Sequence, residues 1–123
     1  MKTDIKNRTD IEKLVNAFYD KIKIDTKIGY FFTDVVKVNW ELHLPKMYDF
    51  WENVLFSTGN YEGNPMVAHK NLHQKSETTK AHFDHWNKMF AKTVDELFAG
   101  EKANEIKQRA MNISAAMMYK TLG

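Results

Sequence analysis

The chain has 123 residues, 43% of them hydrophobic, and a net charge of +2 from 18 basic and 16 acidic residues intermixed along it. That is the size of one domain, expected to span 1–123, and no basic run tracks a phosphate backbone, so nucleic-acid binding has no support. Zero cysteines exclude disulfides, thiolate zinc sites and iron–sulfur clusters. The polar start Met1-Lys2-Thr3-Asp4-Ile5-Lys6, with no run of about 18 apolar residues anywhere, makes a cytoplasmic protein without a membrane span the expectation.

Five glycines and two prolines favour long regular elements over loops. Thr9 and Glu12 stand in capping-box spacing and predict a helix from Thr9 to Ile22, with Ile11, Leu14, Val15, Phe18 and Ile22 on one face. Asp25 to Gly29 is a polar break, and Tyr30-Phe31-Phe32 reads as one helical turn or a buried corner. From Leu44, the residues Met47, Phe50, Trp51, Val54 and Leu55 recur at helical intervals. Pro45 is tolerable only near a first turn, which places His43 at the helix entrance.

Gly59 suits the end of that helix, and Asn60 to Asn64 reads as an exposed loop. Pro65 opens a short helix carrying Met66, His69, Leu72 and His73. After the polar stretch Ser76 to Lys80 come Phe83, Trp86, Phe90, Val94 and Leu97, a stripe ending at Gly100. The last helix shows Ala103, Ile106, Ala110, Ile113 and Met117 on one face, small enough in part for a neighbour to approach closely. The reading is all-α, with four substantial helices and two short ones, and with no strand-like alternation or repeat.

Chemistry, in a cysteine-free chain, falls first on the histidines: His43, His69, His73, His82 and His85. A single histidine on a helix is ordinarily a surface or satisfied side chain, and Tyr19, Trp51 and Trp86 taken singly are ordinarily core. His69 and His73 stand four apart and share a helix face, half of a zinc site, but no third ligand has recognisable spacing. A single axial use of His69 is better supported, since its short helix lies between two aromatic-rich helices that would grip a flat apolar ring system.

Several segments together resemble the truncated haemoglobins, specifically their third group. They are Phe18-Tyr19-Asp20-Lys21-Ile22, Ile28-Gly29-Tyr30-Phe31-Phe32 and His43-Leu44-Pro45-Lys46-Met47-Tyr48-Asp49-Phe50-Trp51, then Tyr61-Glu62-Gly63, Pro65-Met66, His69 and His82-Phe83-Asp84-His85-Trp86. The resemblance runs from Ile11 to Tyr119 and implies a two-over-two helical sandwich around one haem b, held non-covalently in the absence of cysteine.

By position, His69 resembles the proximal iron ligand, and the spacing from Trp51 and Pro65-Met66 favours it over His73. Tyr19 resembles the distal hydroxyl, Trp86 the distal indole donor, and His43 a distal histidine; from its place at a helix entrance, His43 is expected to swing between pocket and solvent as a gate. Phe32 resembles the phenylalanine stacked on the haem, Trp51 an aromatic packed behind that helix, and Lys46 a basic position that meets a propionate. Met47, Phe50, Leu72 and Phe90 are expected to pack the haem faces.

The implied function is binding of dioxygen, or of carbon monoxide and nitric oxide, at ferrous iron. The alternatives are a haem enzyme that oxidises nitric oxide or cleaves peroxide with an external reductase, and a haem-free helical or zinc-binding module. The dioxygen reading includes oxygen transport.

Overall fold

Asn7 starts the first helix, because its side chain accepts a hydrogen bond from the N–H of Asp10 at 3.1 Å while the Asp10 carboxylate accepts from the N–H of Lys6 at 2.9 Å. The first bond satisfies one of the donors that a helix leaves open at its N-terminus, and the second fixes the chain just before the cap. Helix α1 therefore runs Arg8–Lys23, one residue longer at each end than the Thr9 to Ile22 span. The structure, a computed structural model, describes residues 2–32, 39–59 and 79–122. Within them follow α2 (Trp40–Phe56), α3 (Lys80–Leu97) and α4 (Glu101–Leu122), and no strand occurs among the described residues.

The apolar stripe of α1 is the centre of the core: Ile11, Leu14, Val15, Phe18, Tyr19 and Ile22 are all buried. Helix α1 packs on α2 and α3, and α4 packs on α3 and α2. Phe18 is 1% exposed and meets Phe90 edge-on at 5.2 Å, which joins α1 to α3. Ala103, Ile106, Ala110, Ser114 and Met117 form the buried face of α4, where the small residues allow the close approach to α3. At the rim, Arg8 bridges Asp49 at 2.8 Å and Glu52 at 3.0 Å, and Tyr48 donates to the side chain of Asn16, so α1 and α2 are also tied by polar contacts.

After α1 the Asp25 carboxylate accepts from the N–H groups of Lys27 and Ile28, both at 2.9 Å, and folds the chain back. This delivers Ile28 and Phe31 to the core, with Tyr30 exposed and Phe32 half-buried, so Tyr30-Phe31-Phe32 is a helical turn with one ring inward.

Helix α2 begins earlier than its proline suggests. Asn39 caps it, and the N–H of His43 bonds to the carbonyl of Asn39 at 2.9 Å. His43 is thus the fourth helical residue, not the entrance. Pro45 lies inside α2, where it lacks the N–H that would bond the carbonyl of Glu41, an exposed residue. The helix ends at Ser57, in the left-handed region with φ 56°, before Gly59 is reached.

The N-terminal segment is held by the far end of the fold. Asp4 accepts from the N–H of Lys102 at 2.9 Å and of Ala103 at 2.8 Å, closing the first turn of α4, while Ile5 is 2% exposed in the core. Gly100, with φ 143°, lies so close to Asp4 that a Cβ there would come within 2.5 Å of the Asp4 carboxyl carbon.

Candidate functional site

Helix α1 presents Tyr19 at the point where the 28–32 turn and the first turns of α2 converge. Its ring meets Phe32 at 5.9 Å, Trp40 at 5.5 Å and His43 at 5.5 Å, the last edge-on. Tyr19 is 5% exposed, and burial pushes its phenol well above the ordinary tyrosine pKa, so the hydroxyl stays protonated.

His43 is half-buried, and its Nε2 atom is buried with no hydrogen-bond partner. Burial, with a smaller contribution from the neighbouring Lys46 ammonium, depresses its pKa and keeps the imidazole neutral. A buried, unpartnered ring nitrogen beside a buried phenol leaves hydrogen-bonding capacity unspent on the protein itself.

Trp86, on α3, belongs to an adjoining stack. It lies parallel to Phe90 at 5.3 Å and to Trp51 at 6.3 Å, and Phe18 stands edge-on to it at 5.3 Å. Phe18 also meets Tyr19 at 5.2 Å, so one phenyl ring separates the Tyr19 group from the Trp86 stack.

Tyr19, Phe32 and His43 thus come together, Trp86 and Phe90 form a neighbouring group with the buried Trp51, and Met47 and Phe50 are half-buried against the same core. Lys46 is exposed on α2. His69 and Leu72, with His73, lie outside the described residues.

Two other histidines have structural roles. His82 Nδ1 accepts from the N–H of Thr79 at 3.0 Å and closes the first turn of α3, and His85 pairs with Asp25. Among the described residues no group of three His, Cys, Asp or Glu side chains is placed to hold a metal ion. No helix among them is long and apolar enough to cross a membrane.

The profile of the bacterial-like globin family matches residues 4–120. The chain belongs to the bacterial-like globins, among the group 3 truncated haemoglobins. The group 3 truncated hemoglobin ctb of Campylobacter jejuni is 30% identical over 126 residues, covering 98% of this chain and 97% of that one. The crystal structure of group III truncated hemoglobin from Campylobacter jejuni superposes with a TM-score of 0.87 at 27% identity, over 98% of this chain and 95% of the other. The structure of Chlamydomonas reinhardtii THB1 gives a TM-score of 0.69 at 25% identity, over 95% and 91% of the two chains.

Membership implies a haem cofactor for this globin. The observed residues fit one: the half-buried side chains of Phe32, Met47 and Phe50 offer apolar surface, and the orphaned His43 Nε2 and the protonated Tyr19 hydroxyl offer polar groups beside it.

The sequence reading omitted Trp40, which touches Tyr19, Phe32 and His43. Its signal was available: Asn39 is a favoured cap residue, and Trp40 and His43 stand three apart on one helix face.

Proposed function

We propose that residues 1–123 form one globin domain holding a single non-covalent haem b, with His69 as its axial ligand, and that the protein reversibly binds dioxygen and other diatomic ligands beside Tyr19, Trp86 and His43. The observation that supports this most is the pairing of a buried, protonated phenol with a buried imidazole nitrogen that has no partner. Haem, when bound, supplies an open coordination position and electron density that polarises a diatomic ligand.

The protein's part is to favour the polarised ligand. The Tyr19 hydroxyl and the Trp86 indole N–H donate toward developing negative charge, and a neutral His43 donates through whichever ring nitrogen carries its proton. Phe32, Met47, Phe50, Leu72 and Phe90 exclude water from the ring system, and Lys46 at the surface pairs with a propionate. His69 would hold the haem iron through a neutral imidazole.

The test is the visible spectrum of the protein with haemin, oxidised, reduced and under carbon monoxide. A sharp Soret band and a histidine-type carbon monoxide adduct are expected. His69→Gly should lose that ferrous spectrum and regain it with added imidazole. A wild-type spectrum identical to free haemin would overturn the reading, and an unaltered spectrum in His69→Gly would remove His69 from it.

A further inference from the structure

We propose that Trp40, held in place by Lys23, closes the solvent side of the Tyr19–His43 pair and so controls the entry of small ligands and water. The proposal rests on reading Tyr19 and His43 as lining a haem pocket. Trp40 is the first residue of α2 and is half-buried. Its indole stacks on Phe32 at 6.1 Å, lies 5.5 Å from the Tyr19 ring and stands edge-on to His43 at 5.7 Å. It therefore touches Tyr19 and both of the other rings, Phe32 and His43, that meet the Tyr19 ring from the 28–32 turn and from α2.

The fourth contact is of another kind. Lys23 Nζ lies 4.7 Å from the centre of the Trp40 ring, a cation over a π-face that crosses from the last turn of α1 to the first of α2. The only ion pair of Lys23 among the described residues is with Asp20 at 3.9 Å, where the carboxylate is 76% exposed and competes weakly. Among the described residues, Ile24, which follows Lys23, and Glu41 and Leu42, which follow Trp40, are all exposed.

His43 needs such a support. Its Nε2 has no hydrogen-bond partner, so the imidazole is kept inward by the packing of its ring against Tyr19 and Trp40. Removing the indole frees the imidazole to rotate and opens a path to water. Removing the Lys23 charge while keeping the length of its stem loosens the indole without opening a hole. Trp40 is accordingly a positioning residue, acting through His43 and Tyr19.

The experiment compares haem-loaded wild type with Trp40→Ala, Trp40→Phe and Lys23→Met. Carbon monoxide association is followed by flash photolysis, the carbonyl stretching band by infrared spectroscopy, and reaction of Lys23 with an amine-modifying reagent by mass spectrometry.

Trp40→Ala should speed association about tenfold or more, as expected for loss of several ring contacts. Lys23→Met should do so about two- to fivefold, as expected for one exposed cation–π pair. Trp40→Phe should fall between wild type and alanine. In Trp40→Ala the carbonyl band should also broaden or split as His43 loses its fixed position, and Lys23 should become more reactive.

Wild-type association rates and a single wild-type carbonyl band in folded Trp40→Ala would overturn the proposal. If that variant does not fold, unchanged association in both Trp40→Phe and Lys23→Met overturns it instead. Absence of a histidine-type Soret band in the wild type would be a different failure, that of the haem reading itself.

Discussion

His85 Nε2 lies 2.8 Å from Asp25 Oδ2, tying α3 to the turn that follows α1. The other oxygen of the same carboxylate accepts from the N–H groups of Lys27 and Ile28. One side chain therefore shapes the turn that delivers Phe31 and Phe32 and also anchors it beside Trp86, the residue after His85. The pair is largely sheltered, at 22% and 15% side-chain exposure, so solvent screens it less than a surface ion pair.

Burial alone would raise the pKa of Asp25, but the hydrogen bonds from His85, Ile28 and Lys27 outweigh it and hold the carboxyl below its ordinary value. Its stabilising contribution is therefore complete above the unfolded-state pKa and is lost as pH falls through the lower folded-state value. Asp25→Asn should cost about 1–3 kcal/mol at neutral pH, and the gap to wild type should shrink below about pH 4. Thermal unfolding across that range checks it, and a gap independent of pH would count against the pairing.

Asp4 should behave as a distant helix cap. Burial opposes its ionisation, yet donation from the N–H groups of Lys102, Ala103 and Ile5 lowers its pKa on balance. Asp4→Ala should cost about 0.5–2 kcal/mol, the range for loss of a capping side chain. Gly100→Ala should cost about 1–3 kcal/mol, because its positive φ and the crowding by Asp4 both oppose a Cβ. The two changes share a contact, so the double variant should lose less than their sum. Denaturant unfolding of the four proteins decides this, with strict additivity as the contrary result.

Tyr19→Phe and Trp86→Phe should each raise the dioxygen dissociation rate about ten- to a hundredfold, the loss of one hydrogen bond to a charged acceptor. Carbon monoxide, which accumulates less negative charge, should be affected less. Stopped-flow ligand replacement measures both, and equal changes for the two gases would refute electrostatic selection.

The helices were legible because their apolar spacing is regular: Phe18 and Ile22 on α1, Phe83 to Val94 on α3 and Ala103 to Met117 on α4 all face inward as their periodicity requires. The misplaced boundaries have local causes. Pro45 suggested a helix beginning near Leu44, whereas Asn39 caps one that begins at Trp40 and carries the proline at an exposed position in its second turn.

Thr9 with Glu12 fitted a capping box, but Asn7 with Asp10 makes the cap. The contact of Asp4 with α4 was invisible, since a single apolar Ile5 in a polar run carries no period and its partners lie at the other end of the chain. Of the candidate site, Tyr19 and His43 were legible from the family-like segments, and the structure places their rings together. Trp40 was lost with the helix boundary that would have placed it three residues before His43. The expected short helix with His69 and Leu72 lies outside the described residues.

The clasp between Asp4 and the start of α4 joins residues 98 and 99 positions apart. Closing so long a loop costs more chain entropy than any contact between neighbouring helices, and such a contact gains nothing until those helices are already docked. The clasp is therefore expected to form late in folding, after the rate-limiting step. Loosening it should leave the refolding rate nearly unchanged and accelerate unfolding, so that Asp4 sets how long the folded globin lasts and not how fast it is reached.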